Sequence, residues 1–416
     1  MTQVLRTIPA RRYAVLASLV ILAGCRPSAA GLPSPGAGAS TSASATSQPS
    51  TVARATSLPT DAAPTTPAVT LLPTLQTGPL DATTAGHLQK ILDSLVTSGA
   101  PDVIASVITA DGQWSGAAGV DGPNGRAAKP GDEFNIASVS KPILSALILR
   151  LAQEGKVNLD APISDYLGKL PLNSNGATVR QALGMWSGIG DTPGDLLAEA
   201  AAHCARVWTR ADDLTSIPAP YTAAGAEFHY SNPTYKLLGY AAEHVTDKRL
   251  EVALAEMMFA PLGEDRILLQ GPTRSTPKPW ALPIAGHGGS LDLASYGTGG
   301  ALPCISIATF SFATSAIASD APSLARWGWG LFSGTLLDRD SLRAMTTVDS
   351  GGYGLGIEQL PDFAPHLAYG THGGQVGYSA FLVILPERQA VAALFINDQD
   401  ADVQAGARAL IEALGP

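Results

Sequence analysis

Ser138 and Lys141 stand three residues apart in Phe134-Asn135-Ile136-Ala137-Ser138-Val139-Ser140-Lys141-Pro142-Ile143-Leu144, where a long apolar run begins. Residues i and i+3 share a helical face, so the lysine amine can reach the serine hydroxyl and take its proton. A serine at a helix start also keeps its own N–H free for an oxyanion. Ile143 to Leu151 is almost wholly apolar, which predicts a buried helix. It also predicts a desolvated lysine with its pKa lowered toward that of a useful base. The plainer alternative is a capping serine beside a surface lysine. Pro142 sits early enough in the helix to be tolerated, though it biases Lys141 away from helical angles. A second Ser-x-x-Lys, Ser275 to Lys278, has Pro277 and Pro279 around its lysine; Ser275 is expected in a loop.

Two further groups qualify for chemistry. In extended chain Tyr230 and Asn232 of Tyr230-Ser231-Asn232 point the same way and can face one cleft. Pro233 favours that extended form at Asn232. Asn followed by Pro is equally a helix N-cap and N1 pair, so both readings stand. His372-Gly373-Gly374 leads into the strand-like Gln375-Val376-Gly377-Tyr378. Two glycines there would let another backbone or a ligand lie close, with the N–H of Gln375 as a second oxyanion donor. A rival copy, His287-Gly288-Gly289, lies in a glycine-rich stretch with no strand pair after it.

These residues need a frame. Leu88, Ile91, Leu92, Leu95 and Val96 recur at helical spacing, with threonines to cap the start and Gly99 to stop it. Val103 to Thr109 and Gln113 to Gly119 flank Ala110-Asp111-Gly112, a hairpin signal. Ser379 to Leu385 and Gln389 to Ile396, joined through Pro386-Glu387-Arg388, predict a second hairpin. A closing helix is expected over about Asp402 to Leu414. Ile143 to Gln153, Pro233 to Val245 and Leu250 to Met258 read as helices. The expected fold is α+β, an α/β sandwich: one antiparallel sheet built from both chain ends, flanked by helices, with an inserted mostly helical lobe.

Of 416 residues, 45% are hydrophobic and 15% charged, so a sizeable core can be buried. The formal charge of -9 argues against a nucleic-acid partner, which would call for clustered Lys and Arg. A small molecule or cell-wall peptide is the expected substrate. No cofactor is expected, and no Cys-x-x-Cys or His-Glu-x-x-His suggests a metal site. At the start, Arg6, Arg11 and Arg12 precede an apolar stretch from Tyr13 to Ala23, shorter than a comfortable membrane span. It ends in Leu22-Ala23-Gly24-Cys25, which resembles the lipobox of bacterial lipoproteins; the alternative is an ordinary signal peptide with an incidental cysteine. Residues 1–24 are thus expected to be a lipoprotein signal peptide, with lipid attached to Cys25. Residues 25–79, rich in Ser, Thr, Ala and Pro, are expected to be a disordered tether, and 80–416 the folded domain. That places the domain outside the cell, anchored to the outer face of a bacterial membrane. Cys204 and Cys304 could there be joined by a disulfide; two buried thiols is the alternative.

Taken together, Ser138-x-x-Lys141, Tyr230-Ser231-Asn232 and His372-Gly373-Gly374 resemble the motifs of the serine β-lactamase and penicillin-binding superfamily. The closer likeness is to its class C β-lactamase-related group, which includes D-alanyl-D-alanine carboxypeptidases and esterases. "LAQEGKVNLDAPISDYL", "GYGLGIEQL" and "LARWGWGLFSGTLL" add to the resemblance, which covers roughly Leu80 to Pro416. It implies that Ser138 carries a covalent acyl group and that Lys141 and Tyr230 handle its proton, either being the resting base. It implies that Asn232 holds a substrate amide, that His372 lines the cleft, and that Ser138 and Gln375 supply oxyanion N–H groups. It departs from the β-lactamases proper in having His-Gly-Gly where they carry Lys-Thr-Gly, and Met185-Trp186-Ser187-Gly188 where His-Thr-Ser-Gly is usual. The missing lysine argues for a peptidase or esterase over an antibiotic-destroying enzyme. A penicillin-recognising sensor that turns over slowly is the alternative.

Overall fold

The computed structural model describes residues 69–121, 125–170, 172–273, 275, 281 and 295–415. Cys25 and the tether before Val69, Lys278 of the second Ser-x-x-Lys, and His287-Gly288-Gly289 lie outside them.

Along the chain, α1 (Ala82–Thr97) precedes the hairpin β1 (Asp102–Thr109) and β2 (Gly112–Asp121), then the short β3 (Arg126–Ala127) and β4 (Phe134–Asn135). The lobe follows: α2 (Ser140–Gln153), α3 (Val179–Leu183), α4 (Gly194–Ala202), α5 (Arg210–Ser216), α6 (Asn232–Thr246) and α7 (Leu250–Leu254). After β5 (Leu268–Leu269) come α8 (Ile305–Ser311), β6 (Ile317–Ser319), α9 (Ala321–Phe332) and α10 (Arg339–Thr346). The chain closes with β7 (Glu358–Gln359), β8 (Tyr369–Gln375), β9 (Tyr378–Leu385), β10 (Ala390–Ile396) and α11 (Val403–Glu412).

The main sheet is antiparallel, in the order β3-β2-β1-β10-β9-β8-β7. The two ends of the chain meet at its centre, where Val103 pairs with Ile396 and Thr109 with Ala390. Side chains alternate across a strand, and here both faces are covered. Val103, Ala105 and Val107 of β1 pack with Leu88 and Leu92 of α1 and Leu410 of α11. Ile104 and Ile108 face the opposite way, into the core shared with α2, α6 and α9. That is why β9 and β10 read as unbroken apolar runs: every residue in both is buried.

The expected fold class is therefore the observed one. Three details differ. The start of α1 is capped by Asp81, which accepts from the N–H groups of Thr83 and Thr84; a carboxylate cap takes two orphan amides at once. His372-Gly373-Gly374 lies inside β8, and Val376-Gly377 forms the turn into β9. Residues 69–79, assigned to the tether by composition, pack on the folded body. Val69 and Leu72 are buried in the main core, Leu72 N donates to Phe332 O and Trp329 Nε1 donates to Pro73 O. Leu71 and Leu75 pack beside these two anchors, and Gln113 N donates to Gly78 O at the segment's end.

Candidate active site

Ser138 sits on a one-turn 3-10 segment, Ala137–Val139, leading into α2. Ala137 is held at φ 46°, a left-handed conformation that costs a side-chain-bearing residue about 1 kcal/mol or more. Asn135 enforces it: its Oδ1 accepts from Ala137 N at 2.8 Å, while its Nδ2 donates to the carbonyls of Leu302 and Ser315. Ser140 Oγ in turn accepts from Ile317 N. The bent turn leaves Ser138 half-buried while its neighbours Ala137 and Val139 are buried.

Lys141, 1% exposed, lies on the first turn of α2. Its Nζ is 2.9 Å from Ser138 Oγ and donates to Thr314 O at 3.2 Å. Burial lowers its pKa to about 7, against the opposing pull of Asp191 and Glu358. Tyr230 OH donates to the same Oγ at 3.0 Å, and burial pushes that phenol well above its usual range. Lys141 Nζ lies 4.9 Å from the Tyr230 ring centre. Three residues drawn from two distant stretches thus meet on one oxygen, and the reading of Lys141 as a surface lysine is excluded.

The Asn232 region needs correction. The cap of α6 is Ser231, whose Oγ accepts from Thr234 N; Asn232 is the first helical residue. Its Nδ2 is committed to Asp191 Oδ1 at 2.9 Å and Oδ2 at 3.3 Å, and its Oδ1 is buried without a partner. The two oxygens of one carboxylate share a single Nδ2 hydrogen, so the second N–H of Asn232 and its carbonyl oxygen are left over. Met185-Trp186-Ser187-Gly188 supports this corner: Met185 Sδ accepts from Ser231 N, and Ser187 Oγ bonds Thr234 Oγ1 at 2.7 Å.

On the facing side stands the edge of β8. A side chain at Gly373 would bring its Cβ to 2.4 Å from Ile136 O and 2.9 Å from Ser138 N, so only glycine lets the strand touch the nucleophile turn. His372 points to the other face, paired across the sheet with Phe381, and is exposed. Partial burial lowers its pKa, with Asp402 opposing. It stands at the rim, outside the cavity wall. The expected donor at Gln375 is displaced by one residue. Gln375 and Tyr378 close a two-residue turn, and such a closing pair is hydrogen-bonded, turning the Gln375 N–H toward β9. Alternation then turns the Gly374 N–H to the free edge beside Ser138. The Gln375 side chain donates to Ser311 Oγ at 2.8 Å.

Ser138, Asn232, Gly374 and Gln375 line one cavity of about 180 Å³ with Asp191, Lys236 and residues of and just after α8. A larger hollow of about 510 Å³ near His244, Lys248 and Arg249 has no serine, threonine or cysteine in its wall. Sequence reasoning had not marked Asp191, Glu358 or the α8 residues Phe310 and Ser311. The last two come from the glycine- and proline-rich region with no motif of its own. Cys204 and Cys304 are bonded, with Cα atoms 5.5 Å apart, and tie α4 to α8 across that region.

Residues 88–415 match the Beta-lactamase family. The chain belongs to this family. In this chain a serine on the helix entry, a lysine one turn on and a tyrosine from the lobe meet. This family member is 32% identical over 142 residues to Protein flp of Staphylococcus aureus (strain MW2), a stretch covering 32% of this chain and 28% of that protein. It is 22% identical over 280 residues to the putative penicillin-binding protein PbpX of Bacillus subtilis (strain 168), covering 65% of this chain and 63% of that one. The chain thus spans under two thirds of the length of either relative. Among solved structures it is similar to a D-stereospecific amidohydrolase from Streptomyces sp. (24% identity, TM-score 0.65, 79% of this chain and 98% of that). It is also similar to the D-amino acid amidase of Ochrobactrum anthropi SV3 (21%, TM-score 0.67, 80% and 99%). The likeness to these structures shows the fold, a mixed sheet-and-helix architecture.

Proposed function

We propose that this protein is an acyl-serine hydrolase of D-configured amides, peptides or esters, with D-alanyl peptides among its candidate substrates. The observation that carries the reading is Ser138 Oγ held between Lys141 Nζ at 2.9 Å and Tyr230 OH at 3.0 Å.

Lys141, unprotonated above about pH 7, is the resting base; the Tyr230 phenol is held protonated and is the proton donor. Lys141 Nζ takes the Ser138 proton as Oγ bonds to the substrate carbonyl carbon. The carbonyl oxygen becomes an oxyanion between the N–H groups of Ser138 and Gly374. Losing one such donor typically costs about 3 kcal/mol of transition-state stabilisation. Tyr230 OH then protonates the departing nitrogen or oxygen and recovers a proton from Lys141. The acyl-enzyme so formed is cleaved by water in the reverse sequence.

The lipobox-like Cys25 and the tether after it support export and membrane anchoring, and the three motifs around Ser138, Tyr230 and His372 support the class C-related branch. Both the carboxypeptidase-like and the esterase-like readings rest on His372-Gly373-Gly374 standing where a lysine motif would favour β-lactams. The test is turnover of a chromogenic short-chain ester and labelling by a fluorescent penicillin, with Ser138→Ala beside the native protein. Ester turnover lost in Ser138→Ala supports the hydrolase. Labelling with no turnover favours a sensor instead.

A further inference from the structure

Asp191 has no part in the proton transfers described above, yet it lines the same cavity as Ser138 and Asn232. The residue is exposed and held in place. Its Oδ1 accepts from Asn232 N at 2.9 Å, Asn232 Nδ2 at 2.9 Å and Thr192 N at 2.7 Å. Its Oδ2 has one contact, Asn232 Nδ2 at 3.3 Å. One oxygen is saturated and the other keeps acceptor capacity.

The charges around it leave it uncompensated. Lys236 also lines the cavity, but its Nζ is bonded to buried Asp213 at 2.6 Å, and Tyr240 OH takes that carboxylate's other oxygen. Lys141 is engaged with Ser138 and Thr314 and must be neutral to act as the base. Glu358, the second carboxylate acting on Lys141 beside Asp191, accepts from Thr371. Tyr230, a neutral phenol, also feels the Asp191 charge. Among the described residues, no cation is paired with Asp191. A carboxylate fixed in a small cavity disfavours an anionic ligand and attracts a cationic one.

We infer that Asp191 is the receptor for an ammonium group on the substrate. The site would then select D-amino-acyl amides and esters with a free amino group, and disfavour those bearing a carboxylate or a blocked amine in its place. This rests on the acyl-serine reading and adds the substrate class to it. Asp191 is a specificity residue here and takes no proton from the reacting atoms.

The experiment compares kcat/KM for D-alanine p-nitroanilide and N-acetyl-D-alanine p-nitroanilide, with p-nitrophenyl acetate as a neutral reporter of Ser138 chemistry. The native protein is expected to prefer the free amine by about tenfold or more at pH 7, the scale of a hydrogen-bonded charge pair. That preference should fade as the pH passes about 8, where an α-amino group loses its proton. The ratio of the two anilides cancels the titration of Lys141, common to both. Asp191→Asn should bring the ratio close to one, and Asp191→Glu should retain part of it. Acetate turnover that depends on Ser138, joined to no preference for the amine or one that Asp191→Asn leaves intact, would overturn the assignment and spare the hydrolase. Acetate turnover indifferent to Ser138→Ala would overturn both. Because the pH profile needs no variant, a poorly folded Asp191→Asn leaves the inference open to refutation.

Discussion

Gly373 and Ser138 are in backbone contact: a Cβ on Gly373 would stand 2.9 Å from the Ser138 nitrogen and 2.4 Å from Ile136 O. Both neighbours are main chain, so neither can swing aside as a flexible side chain would. The contact couples the edge of the sheet to the helix entry and sets the width of the oxyanion pocket.

Gly373→Ala should therefore push β8 off the nucleophile turn. The expected loss is about 100-fold in kcat, within the range for a displaced oxyanion donor, with destabilisation of about 1–3 kcal/mol. Gly374→Ala should be far milder in stability, since the nearest atom to its Cβ is His372 at 3.5 Å. Kinetics and thermal melts of the two variants side by side check this. Equal losses would contradict the close packing at Gly373.

Lys141 gives a pH prediction with two linked signs. Burial lowers its pKa to about 7, so kcat/KM should rise with pH through about 7 as the free base forms. In the unfolded chain a lysine titrates near 10.4. Between these values the unfolded state binds a proton that the native state does not, so this group's contribution to stability improves as pH rises from about 7 to about 10. Below 7 the full cost of burying the charge applies. Lys141→Met should abolish activity yet gain about 2 kcal/mol or more at pH 6, a gain that shrinks toward pH 10. Denaturant melts of both proteins across that range measure it, and a gain growing with pH would contradict the assignment.

The segment at 69–79 bears on stability. A protein beginning at Leu80 lacks buried Val69 and Leu72 and the bond from Trp329 to Pro73. Each such apolar side chain contributes about 1.5–3 kcal/mol, so the truncated form should melt several degrees below one beginning at residue 64. Equal melting temperatures would show that the segment is not held.

Replacing both Cys204 and Cys304 by serine opens a covalent loop with a sequence separation of 100. The expected loss is about 2–5 kcal/mol, read by urea unfolding. Ser311 on α8 anchors the Gln375 side chain, so activity should fall with it. A variant as stable as the native protein would show that the lobe holds α4 and α8 together without the bond.

Much of this was legible in the residues, for reasons the structure makes plain. Hairpins with short turns and long apolar strands announce themselves, because pairing is local and both faces are buried. Ser138 and Lys141 sit on one helical turn, so their meeting follows from spacing alone. The errors fall where long-range contacts decide. The N–H turned to the free edge is that of Gly374, not Gln375, because β8 runs through the histidine and pairs in register with β9 up to Gln375 and Tyr378. One N–H of the Asn232 amide goes to Asp191, 41 residues away, and no local pattern pairs them. Val69 and Leu72 lie in a stretch whose average composition hides two anchors.

The central claim is an acyl group carried by Ser138. The direct measurement is intact-protein mass after acid quench during turnover of p-nitrophenyl D-alaninate, followed by peptide mapping. One added D-alanyl group on the peptide containing Ser138, absent from Ser138→Ala, is the predicted result. An adduct on another residue, or hydrolysis undiminished in Ser138→Ala, would contradict it.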